Sequence, residues 1–271
     1  MKRRFHPNGI ITLLTDFGEQ DYYVPAMKGV MLTVCPDLRI VDAGHQVPPQ
    51  KVATASYLLA NYALEYPPGT VHVVVVDPGV GSNRSVLVAR LGSQLVVGPD
   101  NGFVSRLVRQ LPAEGAEAID CRRAEVEGLG IRAASATFHG RDVFAPLAAR
   151  LASGRLEPED VGPRFEPILL HEPRLSARRK TIQGEVIHVD RFGNLVTSIA
   201  GSLGPGTSLP LRLDVGGMPV ERFVRTYSDA EEGALVFLVG SGGELEVSLV
   251  GGSAARRLGA TVGTAVACRM A

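Results

Sequence analysis

Thr70–Ser85, TVHVVVVDPGVGSNRS, runs mostly β-branched apolar residues straight into a carboxylate, a Pro-Gly turn and an arginine. Val71–Val76 is too apolar for a strand with one wet face, and reads as a strand covered on both sides. The elements around it supply the cover. Gly9–Thr15 is a second short apolar run, closed by Asp16-Phe17-Gly18. Val24–Val34 reads as a helix ending before Cys35-Pro36, Leu38–Val41 as a strand, and Val47-Pro48-Pro49-Gln50 as a loop. Val52–Leu64 reads as a helix stopped by Pro67-Pro68-Gly69. Ser85–Arg90 and Gln94–Val97 read as strands around a Gly92-Ser93 turn, Phe103–Leu111 as a helix, and Val143–Arg150 as a helix with Asp142 at its N-cap. Strands alternating with helices predict an α/β domain built on a mostly parallel sheet. Such sheets bind ligands at the carboxyl ends of their strands. Asp16, Asp77 and Asp100 each stand just after a predicted strand, a pattern that fits either the rim of a site or ordinary turn chemistry.

Near Pro167 the pattern changes. Segments 182–189, 195–199, 209–215, 222–227, 234–239, 245–249 and 262–268 read as short strands at turn-like intervals, with many glycines between them. That predicts a small all-β barrel or sandwich, of which the barrel is the expectation carried forward. The expected organisation is an α/β N-terminal domain over 1–170, a polar linker over 171–181 and a β-barrel C-terminal domain over 182–271.

The composition excludes several classes. Lys and Arg number 28, against 28 Asp and Glu, in a chain of 271 residues that is 45% hydrophobic and 21% charged. A balanced charge argues against nucleic acid or an anionic membrane as the main partner. Cys35, Cys121 and Cys268 are far apart and in no CxxC pair, so reduced thiols in a cytoplasmic protein are expected, with neither a disulfide framework nor a metal site. The apolar run after MKRRFHPNG is too short for a secretory h-region, and no run reaches membrane-spanning length.

Three stretches bear on chemistry. Asp77 and Arg84 flank a glycine turn that lets the chain fold back. The two could pair to orient a water or hydroxyl, or form a plain surface ion pair. His139 stands at a loop-to-helix junction, placed for acid–base work near neutral pH or for a structural hydrogen bond. In DRFGNLVTSI, Asp190 could receive an ammonium and Asn194 could read a purine edge, or the pair could simply cap a hairpin turn. TDFG (15–18) lacks the context of a kinase motif, GVGS (79–82) lacks the end of a P-loop, and no GxGxxG follows the first strand.

Taken together, LLTDFGEQDYYVPAMKGV, VVVVDPGVGSNRS, VVGPDNG, ATFHGRDVFAP, DRFGNLVTSI and SGGELEVSLVGGSAA resemble the S-adenosyl-L-methionine (SAM) hydroxide adenosyltransferases. These are SAM hydrolases, the water-using relatives of the SAM-dependent fluorinase and chlorinase. The motifs stand in the family's order over nearly the whole chain. The resemblance implies an α/β domain joined to a small β-barrel, and a homotrimer with sites at subunit interfaces. It implies hydrolysis of SAM to adenosine and L-methionine, with SAM as substrate and no cofactor. By the same resemblance Asp77, Arg84 and His139 form the catalytic set. Asp16 matches the carboxylate that holds the ribose hydroxyls, Asp190 the methionine ammonium group's partner, Asn194 the adenine reader and Ser241 a ligand of the methionine carboxylate. The halogenating relatives carry an aromatic residue in place of Asp77 and a serine in place of Gly140. A carboxylate repels a halide and accepts a proton from water, so both differences favour water. A chloride-using halogenase and a non-catalytic adenosine or SAM sensor are the competing readings.

Overall fold

The computed structural model describes residues 4–111, 119–171, 175–176, 181–201 and 210–270. The chain divides into two units, 1–170 and 171–271. In the first, the elements run β1 (Ile10–Thr15), α1 (Tyr23–Val34), β2 (Arg39–Gly44), α2 (Val52–Tyr62), β3 (Val71–Val75), β4 (Val86–Leu91), β5 (Gln94–Pro99), α3 (Ser105–Gln110), β6 (Ile119–Arg123) and α4 (Ala145–Ala152). The sheet order is β2-β1-β3-β5-β4-β6. The first four strands are parallel, while β4 runs antiparallel to both its neighbours.

The near-continuous apolar run of β3, VHVVV, has a direct cause, and its one polar side chain, His72, is buried against the Thr12 hydroxyl at 2.8 Å. Val71, Val73 and Val75 pack with Ile11, Leu13 and residues of α1 and α4 on one face. Val74 and Val76 pack with Leu59 of α2 and Leu107 of α3 on the other. Every residue of the strand is buried. A sheet with a separate core on each face leaves no position for the polar half of an alternating pattern.

Two local expectations are corrected. Asp142 does not cap a helix. Its N–H already donates to the Phe138 carbonyl at 3.1 Å, so the helical path begins earlier, as one wide π-type turn over Gly140–Phe144 that leads into α4. The Asp142 carboxylate instead turns back to accept the Ser135 N–H at 2.8 Å and pairs with Arg141. Strand β6 went unforeseen because Ile119-Asp120-Cys121-Arg122-Arg123 has neither an apolar run nor a clean alternation.

In the second unit, β8 (Thr181–Val189), β9 (Leu195–Ala200), β10 (Pro210–Val215), β11 (Met218–Val220), β12 (Leu235–Val239), β13 (Glu244–Leu249) and β14 (Ala265–Met270) form an antiparallel path ordered β11-β10-β14-β8-β9-β13-β12. A two-residue strand β7 (Leu175–Ser176) adds to β8. Phe223, just beyond β11, bridges to Phe237 of β12, which brings the two ends of the path together into a nearly closed barrel. Val186, Leu195, Leu213, Phe237, Val247 and Val266 fill its interior. A five-residue helix α5 (Ala254–Leu258) follows β13. The strand expected at 222–227 is a correction: beyond the single bridge at Phe223 the chain closes a short 3-10 turn over Tyr227–Asp229. Thr226 and Asp229 cap that turn reciprocally, a local bonding pattern that competes with a strand ladder. Of the linker expected at 171–181, residues 172–174 and 177–180 lie outside the described residues, and Leu175–Ser176 are strand.

Candidate active site

Strands β1, β3 and β5 are adjacent and parallel, so their carboxyl ends share one edge of the sheet. Asp16, Asp77 and Asp100 follow those ends, and they do three different things. The Asp77 carboxylate is gripped by Arg84: Nε donates to both carboxylate oxygens at 2.8 Å, and the terminal Nη2 donates to Oδ2. The two side chains are 5% and 9% exposed, which separates this pair from a solvated surface bridge. The guanidinium also lies 5.1 Å over the ring of Phe144. Its Nη2 reaches His139 Nδ1 at 3.0 Å. Arginine only donates, so Nδ1 accepts and the neutral ring carries its proton on Nε2.

Burial, then the neighbouring Arg84 charge, hold the His139 pKa below the ordinary 6.5. The ring therefore stays neutral at pH 7 and gains its proton only on the acid side of 6.5. Protonation would set an N–H donor against the Arg84 donor and break the array. The acid limb of kcat/KM is therefore expected to have its midpoint below pH 6.5. A pH–rate profile measured on SAM tests this, and an acid limb centred above 6.5 would contradict it.

The loop 98–102 fixes both ends of the Asp77–Arg84 loop. Asn101 Nδ2 donates to the carbonyl of Val76, the residue before Asp77, at 2.8 Å. The Asp100 N–H donates to the carbonyl of Ser85, the residue after Arg84, at 3.0 Å. The Asp100 carboxylate is buried and accepts the Ile168 N–H at 2.9 Å, so Asp100 braces the edge from behind and is not part of a rim open to a ligand. Asp16 is half-buried. Burial, with the Asp77 charge adding to it, pushes its pKa up, while the Gln50 N–H donates to its Oδ2 at 2.9 Å.

A cavity of about 290 Å³ opens between Phe17, Tyr22, Tyr23, Ser135, Thr137, Phe138 and Arg141. Two of its lining rings are chain neighbours of site candidates: Phe17 follows Asp16 and Phe138 precedes His139. Its Phe17, Tyr23 and Phe138 rings contact one another with centroids 5.1–6.2 Å apart. Aromatic faces of this kind attract a cation. Sequence reasoning did not single out these rings, although their grouping at 17, 22 and 23 was visible.

In the second unit Asp190 and Asn194 meet each other. Asp190 Oδ1 accepts the Phe192 and Asn194 N–H groups at 2.9 and 2.8 Å, and Oδ2 accepts Asn194 Nδ2 at 2.8 Å. The turn-capping role is thus realised. Asn194 keeps its carbonyl oxygen and one N–H, and Oδ2 keeps acceptor capacity, so a ligand role remains chemically open to both. Ser241 is exposed in the turn between β12 and β13, at residues 240–243. Sequence reasoning passed over Glu246, which is 8% exposed and takes hydrogen bonds from Tyr227 Oη at 2.6 Å and Ser248 Oγ at 2.9 Å. Burial, Glu246 and the Asp190 charge push the Tyr227 pKa up to about 12. The alternation Glu244, Glu246, Ser248 along β13 marked one polar face, but not that the face is buried.

Fold and site together define a two-unit enzyme, an α/β sheet followed by a β-barrel, with a desolvated carboxylate–guanidinium–imidazole array at the strand ends. Residues 11–162 match the SAM hydroxide adenosyltransferase N-terminal domain and residues 184–267 its C-terminal domain, and the chain belongs to that family. It is 40% identical over 260 residues to the (R)-S-adenosyl-L-methionine hydrolase of Salinispora tropica, covering 95% of this chain and 96% of that protein. A fluorinase from Nocardia brasiliensis is more distant, at 29% identity over 276 residues, covering 88% of this chain and 89% of that one. Among solved structures, an uncharacterized conserved protein from Thermotoga maritima superposes with a TM-score of 0.81 at 32% identity, covering 96% and 99% of the two chains.

Proposed function

We propose that this protein hydrolyses SAM to adenosine and L-methionine by in-line attack of water on C5′. The observation that carries this reading is the Asp77–Arg84–His139 array, with the Asp77 and Arg84 side chains 5% and 9% exposed, joined to the similarity with a SAM hydrolase over nearly the full length of both chains. The oxygen of water bonds to C5′ as the C5′–S bond breaks, and the electron pair of that bond neutralises the sulfonium. The water's proton leaves to a base and then to solvent. Of the three groups, Arg84 is always protonated and His139 Nδ1 is engaged by Arg84, so Asp77 is the acceptor. Arg84 orients that carboxylate, and His139 holds Arg84. The sulfonium is a good leaving group, so alignment of the water supplies most of what catalysis requires, about 7–11 kcal/mol in favourable cases.

Asp16 would hold the ribose hydroxyls, with Asp190, Asn194 and Ser241 meeting the methionine ammonium, the adenine and the methionine carboxylate. A homotrimer with its sites at subunit interfaces and a cytoplasmic location complete the proposal, both resting on family membership. Among the described residues no helix is long and apolar enough to cross a membrane. The reaction as written takes only SAM and water, with no cofactor.

Gly140 offers no hydroxyl to a halide, and the packing around it leaves little room for one. A Cβ on Gly140 would lie 3.1 Å from Met27 Sδ and 3.3 Å from the rings of Phe17 and Phe138, so a serine there is crowded. Incubating the protein with SAM, with and without chloride, and resolving the products tests the proposal. Adenosine and methionine in equal amounts, independent of chloride, are expected. A 5′-chloro-5′-deoxyadenosine product would establish a halogenase, and SAM retained without turnover would establish a sensor.

A further inference from the structure

We infer that Asp42, His45 and Thr15 form a positioning chain for Asp16, so that affinity for the ribose of the substrate is set from behind the β1 edge. The inference rests on the reading of Asp16 as the ribose carboxylate.

The chain begins with a fault in the sheet. The pairing of β1 with β2 shifts between Leu13 and Leu14: Leu13 stands opposite Asp42, and Leu14 opposite Gly44. Bulges of this kind re-aim the side chains that follow them. Here the segment after the bulge passes beneath the Thr15–Gly18 turn, and His45 becomes 5% exposed. Its Nε2 lies 2.9 Å from Asp42 Oδ1, and its Nδ1 lies 3.0 Å from Thr15 Oγ1. The Asp42 carboxylate meets Nε2 as a close ion-pair contact and not as an in-line hydrogen bond, and its negative charge favours the ring proton on Nε2, with Nδ1 accepting from the Thr15 hydroxyl. The Thr15 oxygen in turn accepts the Phe17 N–H at 3.3 Å. At the outer end Lys28 Nζ donates to Asp42 Oδ2 at 2.6 Å.

A carboxylate, an imidazole and a hydroxyl in a row is also the constellation of an activated nucleophile. Thr15 is 0% exposed, so no substrate reaches its hydroxyl and that role is closed. What the chain reaches is the backbone on both sides of Asp16. Three further bonds converge from the same segment. The Gly18 N–H donates to the His45 carbonyl at 2.7 Å, the Val47 N–H to the Thr15 carbonyl at 3.3 Å, and the Gln50 N–H to the Asp16 carboxylate. Gln50 holds φ at +64°, a left-handed conformation that costs a non-glycine residue energy and marks a position over-determined by its surroundings. Residues 44–50 thus grip the turn that carries Asp16 at four places.

A group that holds ribose hydroxyls equally in the ground and transition states governs KM and leaves kcat alone. Thr15→Val removes the hydroxyl and keeps the shape, and His45→Ala removes the ring. Each variant is expected to raise KM for SAM about tenfold, with kcat within about twofold, and the double variant to go no further than the larger single one because both cut one chain. Preference for adenosine over 2′-deoxyadenosine, measured by calorimetry, should shrink in parallel. A general loss of stability alone would not produce that change. Asp16→Asn is measured alongside. If it raises KM while Thr15→Val and His45→Ala leave KM and the ribose preference unchanged, the positioning chain is overturned and the role of Asp16 stands. If Asp16→Asn itself leaves KM and the preference unchanged, the ribose reading falls, and the chain's role falls with it.

Discussion

Replacing Asp77 by Ala is expected to reduce SAM turnover by about 10²–10⁴-fold or more, while adenosine still binds. The expectation follows from the geometry around the carboxylate. Asp77 is the one group of the array with acceptor capacity toward water, since His139 Nδ1 already accepts from Arg84 and Arg84 only donates. The truncation also leaves the Arg84 side chain, 9% exposed, without its counter-charge, so a loss of stability of about 3–5 kcal/mol accompanies the loss of activity. Asp77→Asn tests the chemistry with less damage to the fold, because its amide oxygen still accepts from Arg84 although the counter-charge is gone. It keeps the shape and removes the base, so a folded, adenosine-binding and inactive protein is the expected result. Turnover near the wild-type rate in folded Asp77→Asn would remove Asp77 from the chemistry.

The second large effect lies in the other unit. Gly193 sits between Asp190 and Asn194 at φ +86°, and a Cβ there would fall 2.1 Å from Ser253 Oγ and 2.6 Å from Ser253 Cβ. Ser253 caps α5 by accepting the Arg256 N–H at 3.2 Å, and the Gly193 carbonyl accepts the Ala255 N–H at 2.9 Å. Gly193→Ala must therefore displace the cap, the start of α5 or the Asp190–Asn194 turn. A cost of about 3 kcal/mol is expected, part of it left-handed strain and the larger part the collision. Gly217→Ala is the control: φ is +88° and nothing lies within 4 Å of its Cβ position, so it carries the strain alone. Thermal unfolding of the two variants, with adenosine affinity measured on each, separates the terms. Equal melting temperatures and equal affinities in the two variants would mean that Ser253 does not constrain the turn.

Much of this architecture is legible in the chain, and for identifiable reasons. The β3 run announces a doubly covered sheet because a strand apolar at nearly every position, set among helical segments, needs a core on both faces. Asp16 and Asp77 are legible as candidates because a parallel sheet delivers the residue after each strand to a common edge. Asp100 shares the position and differs in role, since its direction depends on Ile168, nearly seventy residues away. The pairing of Arg84 with His139 spans 55 residues and leaves no periodic trace. Asn101 went unread because it acts on backbone beside a functional residue, and a side chain that bonds to backbone makes no demand on the identity of the residue it holds; His45 went unread because its hydroxyl partner, Thr15, lies 30 residues away. Segment 222–227 reads as strand although it runs into the capped turn at 226–229, because local bonding is invisible to periodicity.

The most direct measurement of the central claim is the fate of oxygen when purified protein turns over SAM in 18O-labelled water. Adenosine carrying one 18O at the 5′-hydroxyl, with unlabelled methionine, is the result predicted by attack of water held at Asp77 on C5′. Unlabelled adenosine would mean that the new oxygen comes from elsewhere, and direct hydrolysis at this site would be wrong.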